Sequence, residues 1–383
     1  MKIVHICVQT YYNDYWGFQD NLLPHYHAKL GHSVTVITTN TKREDSKIVE
    51  IPEDDYMLND GVRVIRLSKS KPSISFFEGK IPYYDIRPSL DRLRPDFIML
   101  HGISSLTILD VVRYKRANRD CIMIDDNHLD YFNAGFKSIK GQMVRLFFKT
   151  INRMCMPYFS KVYGVTPIRK EYAIKMLGVP RSKCDVLVMG GDSDKIRYGE
   201  QHLIRKELRS RYNIDMTDFL VVTGGKIDTD KNIHLLMEAV SRLEDSSVKL
   251  VVFGKANAQM HSIIEHFGQN ESIRYIGWIE SDKVYDWFLA SDLAVFPGTH
   301  SVLWEQAVAC GIPCVFKHWE GMEHIDVGGN CKFLYNDTEE EIRVLIDQIA
   351  NNYIVYQEMK RCSQQKAINA FSYLEIAKKA LEI

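Results

Sequence analysis

The sequence has no net charge, because 49 lysines and arginines balance 49 aspartates and glutamates over 383 residues. A domain dedicated to nucleic acid is normally strongly basic, so this balance argues against nucleic acid as a partner. Glycine and proline are also sparse, at 22 and 11 residues, which excludes a low-complexity or disordered chain. The hydrophobic fraction of 45% and the charged fraction of 26% are typical of an ordinary globular protein.

The eight cysteines are scattered and form no Cys-x-x-Cys pair. This spacing excludes a zinc ribbon and a small disulfide scaffold, and we expect buried free thiols in a reducing compartment. No apolar run approaches the ~18 residues that a membrane-spanning helix needs. The N-terminus begins a strand-like run and lacks the features of a signal peptide. We therefore expect a cytoplasmic protein.

Short apolar runs alternate with amphipathic stretches along the whole chain. The predicted strands are Lys2–Val8, Ser33–Thr39, Val62–Leu67, Phe97–His101, Cys121–Asp125, Lys161–Val165, Asp185–Met189, Phe219–Thr223, Lys249–Phe253, Arg274–Ile276, Leu293–Phe296 and Cys314–Phe316. The predicted helices are Asn21–Leu30, Leu106–Ala117, Pro167–Leu177, Asn232–Leu243, Lys283–Ala290 and Val302–Cys310. This alternation predicts an α/β protein with parallel sheets that helices cover on both faces.

The polar stretch Gly190–Arg211 interrupts the alternation near the middle of the chain. We interpret it as the connection between two doubly wound, Rossmann-like domains. The first domain is predicted over residues 1–193 and the second over residues 194–365. Doubly wound domains bind ligands at the carboxyl ends of their strands, so we expect a ligand cleft between the two domains.

The first candidate binding stretch runs from Phe219 to Leu243. A predicted strand ends in Gly224-Gly225, and the following loop carries Lys226 and Lys231. Two glycines allow a sharp turn and a close approach to a ligand. Two lysines five residues apart on one loop can converge on a diphosphate. The alternative is that both lysines are simply solvated on a surface loop.

The second candidate binding stretch runs from Leu293 to Phe316. A predicted strand is followed by the loop Gly298-Thr299-His300, with Ser301 as the N-cap of a helix that contains Glu305. Backbone N–H groups at this point suit an anion, and Glu305 can accept hydrogen bonds from sugar hydroxyls. The alternative is that Glu305 only complements the helix dipole, an effect of ~0.3–1 kcal/mol.

A third stretch, Tyr131–Lys170, contains eight lysines and arginines and no acidic residue. Arg145, Lys149 and Arg153 are spaced four residues apart and form one stripe on a predicted helix. This pattern indicates contact with an anionic membrane surface. The alternative is an ordinary core helix with a solvated basic face.

The two stretches of the second half together resemble the C-terminal domain of retaining family-4 glycosyltransferases, which have the GT-B fold. The family pattern Gly-Arg/Lys-x4-Lys is matched by Gly225-Lys226 through Lys231, and Glu305 through Pro313 is compared with its Glu-Ala-x-Ala-x-Gly-x-Pro. Further partial matches are Gly17, Gly31-His32-Ser33-Val34, Pro95-Asp96 through His101-Gly102, Gly190-x-Asp192 and Phe371-Ser372-Tyr373. The resemblance also implies that residues 366–383 form a helix that returns to the first domain.

The resemblance implies a role for each matching residue. Lys226 and Lys231 would hold the donor diphosphate as catalytic cations, and His128 would lie beside the donor sugar, although it is equally consistent with a structural loop histidine. The implied donor-binding residues are Gly17, Gly225, Ile279, Gly298, Thr299, His300, Ser301 and Glu305. Glu305 would bind the ribose, and groups near Ile279 would face the base. The first glutamate of the family's Glu-x7-Glu is absent, since Pro297 stands eight residues before Glu305.

The resemblance implies a retaining transfer of a hexosyl or N-acetylhexosaminyl group from a nucleotide-diphospho-sugar, UDP-linked, without a metal or other cofactor. The acceptor would be a glycan or polyprenyl-linked molecule of bacterial surface polysaccharide or glycolipid synthesis. We expect the protein at the inner face of the membrane, where it contacts lipid through Arg145, Lys149 and Arg153. Two alternatives remain: a nucleotide-sugar epimerase of the same fold and a non-catalytic scaffold subunit.

Overall fold

The protein folds into two compact α/β units, and the computed structural model describes residues 1–45, 47–70, 83–135 and 138–382. The first unit comprises Met1–Val188 and Ile376–Ile383, and the second comprises Met189–Glu375. These boundaries differ from the expected 193/194 and 365/366 because the backbone of Gly191 exchanges hydrogen bonds with Phe371 and Tyr373, at 2.9 and 3.2 Å. Residues on both sides of the expected boundaries therefore share the second unit.

The first unit is built on an eight-stranded sheet. Its strands and a separate ribbon are β1 (Lys2–Cys7), β2 (Ser33–Thr39), β3 (Thr41–Glu44), β4 (Lys47–Glu50), β5 (Asp54–Met57), β6 (Arg63–Leu67), β7 (Phe97–His101), β8 (Ile122–Asn127), β9 (Lys161–Gly164) and β10 (Cys184–Val186). Its helices are α1 (Gln19–Lys29), α2 (Arg87–Leu93), α3 (Ile108–Ala117), α4 (Ile139–Cys155) and α5 (Pro167–Leu177). The sheet order is β10-β9-β8-β7-β1-β2-β6-β5, parallel except where β5 meets β6.

The second unit is built on a six-stranded, wholly parallel sheet in the order β13-β12-β11-β14-β15-β16. Its strands are β11 (Phe219–Ile227), β12 (Val248–Ala256), β13 (Ile273–Gly277), β14 (Leu293–Phe296), β15 (Cys314–Lys317) and β16 (Cys331–Leu334). Its helices are α6 (Gln201–Arg211), α7 (Ile233–Ser241), α8 (His261–Phe267), α9 (Ser281–Ala290), α10 (Leu303–Ala309), α11 (Glu339–Asn351), α12 (Tyr353–Cys362) and α13 (Ile368–Ala370). The last helix, α14 (Tyr373–Leu381), begins in this unit and ends in the first.

Each sheet buries its central strands on both faces, which is why those strands are mostly apolar. Every residue of β7 and of β14 is buried. Separate apolar clusters fill the two units, one around Ile98 and Leu100 and the other around Val221 and Leu250. The predicted α/β class with doubly wound parallel sheets is confirmed.

The interpretation of Gly190–Arg211 as a simple connection is wrong for its second half. Residues Gln201–Arg211 form α6, and Arg209 on this helix is completely buried. Its guanidinium donates to the Asp292 carboxylate at 2.6 Å and to the Ala290 carbonyl at 3.2 Å. A buried charge needs such partners. Helix α6 is therefore anchored to the second unit by an ion pair that its polar sequence alone does not predict.

All eight cysteines are free and buried, as the sequence predicts. Burial raises the pKa of seven of these thiols, those of Cys7, Cys121, Cys155, Cys184, Cys310, Cys314 and Cys331; for Cys121 and Cys155 it reaches about 11. These thiols are therefore protonated, unreactive components of the two cores.

Candidate functional site

The two candidate binding stretches of the second unit lie next to each other. They follow the neighbouring strands β11 and β14. The Thr299 N–H donates to the Asp230 carbonyl at 2.9 Å. A Cβ atom on Gly298 would lie 2.4 Å from that carbonyl oxygen, so only glycine permits the contact. The lysine loop and the Gly298-Thr299-His300 loop therefore form one surface.

Lys231 is held firmly within this surface. Its ammonium group donates to the carbonyls of Thr299 and His300, at 2.7 and 3.1 Å. Partial burial lowers the pKa of Lys231, against the opposing effect of the Asp228 and Asp230 carboxylates. An ammonium group has three donors, so one N–H remains for a ligand.

Lys226 differs from Lys231 in its surroundings. Its side chain is 76% exposed and pairs with the Asp228 carboxylate at 2.8 Å. The hydrogen bond to Asp228 raises the pKa of Lys226. A surface pair of this kind is weak and exchanges readily, so an anionic ligand can compete with Asp228 for this lysine.

A cavity of about 680 Å³ opens at the carboxyl ends of β11 and β12. It is lined by Gly225, Lys226, Phe253, Gly254, Lys255, Trp278, Ile279, Glu280, Ser281, Asp282, Val284 and Leu303. Three residues selected from the sequence, Gly225, Lys226 and Ile279, are among them. The cavity lies where parallel α/β sheets bind ligands and has a volume suited to a small molecule.

Sequence analysis missed a second Gly-Lys pair in this cavity. Gly254-Lys255 on β12 lies directly in register with Gly225-Lys226 on β11. Both glycines have positive φ, +115° for Gly225 and +128° for Gly254, and a Cβ atom on Gly254 would lie 1.8 Å from the Gly225 carbonyl oxygen. The repeated strand ending, VVTGGK and VVFGK, is the sequence signal that could have identified Lys255.

Glu305 is completely buried and points away from solvent. Its two carboxylate oxygens contact the His300 Nε2 atom at 2.8 and 3.1 Å, and His324 lies 4.0 Å away. Burial favours the neutral form of Glu305, but the His300 charge and hydrogen bond hold the pKa of this carboxyl below its usual value. Glu305 does not line the cavity.

The spacing within α10 favours Gln306 as the residue that faces a donor. In the pattern Glu-Ala-x-Ala-x-Gly the glutamate stands five residues before the glycine, and Gln306 stands five before Gly311. Gln306 is partly exposed and lies three residues after Leu303, which lines the cavity. Residues three apart share a helix face, so Gln306 lies on the same side of α10 as Leu303, although neither Gln306 nor Glu305 is among the residues that line the cavity.

Two candidate residues lie in the first unit. Gly17 is exposed in the loop before α1, and no atom lies within 4 Å of an added Cβ. His128 follows β8 and is 41% exposed, with its Nε2 atom 3.4 Å from the Asp126 carboxylate. Both therefore have space for a ligand beside them.

The basic stripe of α4 is turned partly towards its neighbour α5. Lys149 donates to the Lys175 carbonyl at 2.7 Å, and Arg145 to the Met176 carbonyl at 3.4 Å. The buried Asn152 donates to the next carbonyl, that of Leu177, at 3.1 Å. The last carbonyls of a helix have no partners within it. Arg145 and Lys149 therefore cap α5, while Arg153 is exposed.

The outward face of α4 carries four large apolar side chains. Ile139, Met143, Leu146 and Met154 have exposed fractions of 83, 52, 60 and 73%, and the polar residues Lys140, Gln142, Thr150 and Arg153 of the same helix are exposed as well. Within the described residues, no helix has the length and apolar character required to cross a bilayer. The apolar stripe lies along the helix surface, flanked by the exposed Lys140 and Arg153.

Comparison with known proteins finds a family model that matches most of the second half of the chain. Residues 204–367 match the family model of glycosyl transferases group 1. One curated relative, the chitobiosyldiphosphodolichol beta-mannosyltransferase of Candida glabrata, is 21% identical over 262 residues. That alignment covers 61% of this chain and 57% of the relative, so the chain spans less than two thirds of the relative's length.

Solved structures resemble the whole chain. A glycosyltransferase from Rickettsia africae ESF-5 matches with a TM-score of 0.70 at 13% identity, covering 100% of this chain and 97% of that one. Anabaena Alr3699/HepE, solved in complex with UDP, matches with a TM-score of 0.68 at 16% identity, covering 100% and 99%. The chain therefore has the fold of the GT-B glycosyltransferases, and its residues 204–367 are similar to the glycosyl transferases group 1.

Proposed function

We propose that the protein is a retaining glycosyltransferase that moves a hexosyl or N-acetylhexosaminyl group from a UDP-sugar to a lipid-linked or glycan acceptor. The observation that carries the proposal is the cavity at the ends of β11 and β12, where two Gly-Lys pairs lie in register. Glycines permit close approach to a diphosphate, and lysines neutralise it. The solved Anabaena relative, which shares the fold, contains UDP.

The lysines would act when the donor loses its diphosphate. Negative charge then develops on the leaving group while the sugar carbon becomes oxocarbenium-like. Fixed cations aimed at that charge lower the barrier more than other single effects. Lys231 is already fixed by two carbonyls, whereas Lys226 and Lys255 would close on the diphosphate. No metal is needed for this step, and no separate base is assigned, since the leaving phosphate can accept the acceptor's proton.

The remaining roles follow the same proposal. Gln306 would contact the ribose, Ile279 the base, and Thr299, His300 and Ser301 the sugar hydroxyls. His128 and Gly17 of the first unit would approach the donor sugar and the diphosphate. Glu305 would act through His300, whose ring it holds at 2.8 Å.

The product's anomeric configuration tests the retaining mechanism. Retention predicts an α-linked product from an α-linked donor, whereas the name of the Candida relative describes a β-linked mannose on a lipid diphosphate. We would incubate the protein with UDP-, GDP- and ADP-sugars, first ranked by thermal shift, and with a polyprenyl-diphosphate glycan. NMR of the product would give the configuration, and a β-linked product would contradict retention.

The same experiment separates the alternative functions. An epimerase converts the donor sugar without any acceptor, so conversion in the donor-only reaction would favour the epimerase. A scaffold subunit would bind a nucleotide without turnover under any condition. A lipid-linked acceptor also gives a reason for attachment to an anionic membrane surface, through α4.

A further inference from the structure

Three metal-ligand side chains meet at the carboxyl ends of two neighbouring strands of the first sheet. His101 is the last residue of β7, Asp126 lies in register with it on β8, and His128 follows β8. One nitrogen or oxygen atom of each side chain lies within 4.8 Å of those of the other two. Parallel α/β sheets bind their ligands at this edge. The three side chains, the His-Asp-His cluster, are therefore close enough together to hold one small ligand.

Two buried atoms of the cluster have no hydrogen-bond partner. The His101 Nδ1 atom and the Asp126 Oδ1 atom are 2.8 Å apart. They lack the alignment of a hydrogen bond, and neither has a hydrogen-bond partner among the described residues. Buried polar atoms without a partner are rare and costly. An unpaired nitrogen beside an unpaired carboxylate oxygen requires a cation.

The hydrogen bonds behind His101 show which of its nitrogens is free. The His27 Nε2 atom lies 3.0 Å from the Ala377 carbonyl oxygen and must donate to it, because a carbonyl only accepts. His27 then accepts through Nδ1 from His5 at 3.0 Å, and His5 accepts through Nδ1 from His101 Nε2 at 2.9 Å. Burial lowers the pKa of His5 and that of His27, the latter to about 4, so both rings are neutral. The single proton of a neutral His101 therefore lies on Nε2, and its Nδ1 atom has a free lone pair.

We propose that the His-Asp-His cluster binds one divalent transition-metal ion, of which Zn²⁺ is the type, through His101 Nδ1, an Asp126 carboxylate oxygen and His128 Nε2. Two imidazoles and one carboxylate are an established set of protein ligands for Zn²⁺, with water in the remaining position. Mg²⁺ and Ca²⁺ prefer oxygen ligands, so the two imidazoles disfavour them. Ligand atoms of one Zn²⁺ ion are about 3–4 Å apart. The cluster reaches this spacing with small side-chain movements, since the His128 side chain is 41% exposed.

The residues around the cluster support the same ligand set. Metal-bound histidines donate their other N–H to an acceptor, and metal-bound carboxylates are themselves hydrogen-bonded. His101 donates through Nε2 to His5, and the second oxygen of Asp126 accepts from the buried Gln19 amide at 2.9 Å. Two of the three ligands are therefore already oriented, and the exposed His128 gives an ion access from solvent.

A proton is the competing cation at this position. Burial disfavours charge on His101, but the Asp126 carboxylate raises its pKa, so the metal-free protein holds a proton there. Metal binding displaces such a proton, and the poor alignment of the 2.8 Å contact favours the metal. The ion would take no part in the lysine-based step proposed above. Bound to Nε2 of His128, it leaves the Nδ1 atom of that ring for the donor sugar.

The test is Zn²⁺ binding to the full chain after a chelator has removed bound metals, measured by isothermal titration with Mg²⁺ as the comparison. We expect one tightly bound Zn²⁺ per chain, a melting temperature that rises with Zn²⁺, and no effect of Mg²⁺. His128→Gln, at an exposed position, should weaken Zn²⁺ binding about a hundredfold or more, because loss of a group that only supports a ligand already costs roughly 10–100-fold. The matched control is His25→Gln, which removes a histidine of the first unit that contacts Asp60 at 2.9 Å and should bind Zn²⁺ like the parent.

Co²⁺ as a spectroscopic probe distinguishes the cluster from the buried thiols. Co²⁺ bound by nitrogen and oxygen shows visible d–d bands, and a thiolate ligand adds a charge-transfer band in the near ultraviolet. We expect d–d bands alone in the parent and in His25→Gln, and their loss in His128→Gln. Absence of Zn²⁺ binding, equal binding by the parent and His128→Gln, equal binding of Mg²⁺, or a thiolate band would each overturn the proposal. None of these readouts needs transfer activity, so failure of the proposed function would leave the metal result intact.

Discussion

At the residue scale, the two lysines of one loop have different local roles. Lys226 is exposed and pairs with the Asp228 carboxylate, whereas Lys231 donates to the carbonyls of Thr299 and His300. Loss of Lys226 therefore removes charge from the cavity and little else. Loss of Lys231 removes a charge and also two hydrogen bonds between loops, each contributing about 0.5–1.5 kcal/mol to stability.

We predict that Lys226→Ala and Lys231→Ala each lower kcat at least tenfold, which corresponds to about 1.4 kcal/mol or more of transition-state stabilisation. Only Lys231→Ala should also lower the melting temperature. Steady-state kinetics and thermal unfolding measure the two effects. Lys332→Ala, which removes an exposed lysine of β16 away from the cavity, is the matched control. Normal turnover in both loop variants would refute the diphosphate role.

Glu305 and Gln306 are adjacent but face different surroundings. We predict that Glu305→Gln destabilises the fold, because it removes the buried partner of His300, with little direct effect on nucleotide contact. Gln306→Ala should instead weaken UDP binding about tenfold at unchanged stability. Isothermal titration with UDP and chemical unfolding separate the two. Weaker UDP binding in the Glu305 variant alone would restore the ribose role that the sequence assigns to Glu305.

The contribution of Glu305 to the free energy of unfolding depends on pH in a definite direction. The folded-state pKa of this carboxyl is lowered, so its contribution is present above about pH 4–5 and is lost as pH falls through the folded value. The unfolding free energies of the parent and the Glu305→Gln variant should therefore converge in acid. A difference that stays constant down to pH 3 would show that the charge of Glu305 is not the cause.

At the element scale, the sequence predicts what depends on local pattern. Pro167–Leu177 is predicted to the residue because Thr166 caps its start and Gly178, at φ +84°, ends it. Helix α6 is missed because its polar sequence hides a buried arginine that only tertiary contacts with Asp292 and Ala290 can satisfy. Lys255 is missed for a related reason, since its place beside Lys226 depends on the register of two strands 29 residues apart in sequence.

The two faces of α4 lead to opposite predictions. Arg145→Gln with Lys149→Gln should destabilise the first unit by about 1–3 kcal/mol, because two carbonyls at the end of α5 lose their charged donors. Chemical unfolding would measure this loss. The same pair should reduce binding to anionic vesicles only modestly. Unchanged stability would return both residues to the purely membrane-facing role predicted from the sequence.

The exposed apolar side chains of α4 should determine whether this helix binds lipid. Met143→Gln with Leu146→Gln removes two exposed apolar side chains and no charge. If α4 lies in the membrane interface, binding to vesicles that contain anionic lipid should fall at least tenfold, while stability changes little. Sedimentation with vesicles of graded anionic content is the measurement. Equal binding by the parent and this variant would exclude insertion of α4 into the membrane interface. Binding that does not depend on the fraction of anionic lipid would exclude an electrostatic contribution.

At the scale of the whole molecule, three buried histidines of the first unit, His5, His27 and His101, make stability depend on pH in two opposing ways. Burial lowers the pKa of His5 and His27, so both are neutral when folded. As pH falls below about 6.5, these histidines bind protons in the unfolded chain but not in the folded protein, and the free energy of unfolding therefore decreases. His101 is charged when folded, so its contribution is complete below about pH 6.5 and is lost as pH rises through its raised pKa. Together the three histidines therefore favour the fold most strongly near neutral pH.

The variant His27→Gln isolates the loss of stability at acidic pH. A pKa of about 4 for His27 in the fold, against about 6.5 when unfolded, corresponds to about 3 kcal/mol lost between those two pH values. In the fold the His27 ring lies 3.0 Å from both the Ala377 carbonyl oxygen and the His5 ring. His27→Gln cannot titrate, but it keeps a donor for Ala377 and an acceptor for His5. Urea unfolding from pH 7 to pH 4 should therefore give the variant a slope smaller by up to about 1.4 kcal/mol per pH unit. Identical slopes would mean that burial does not keep His27 neutral in the folded protein.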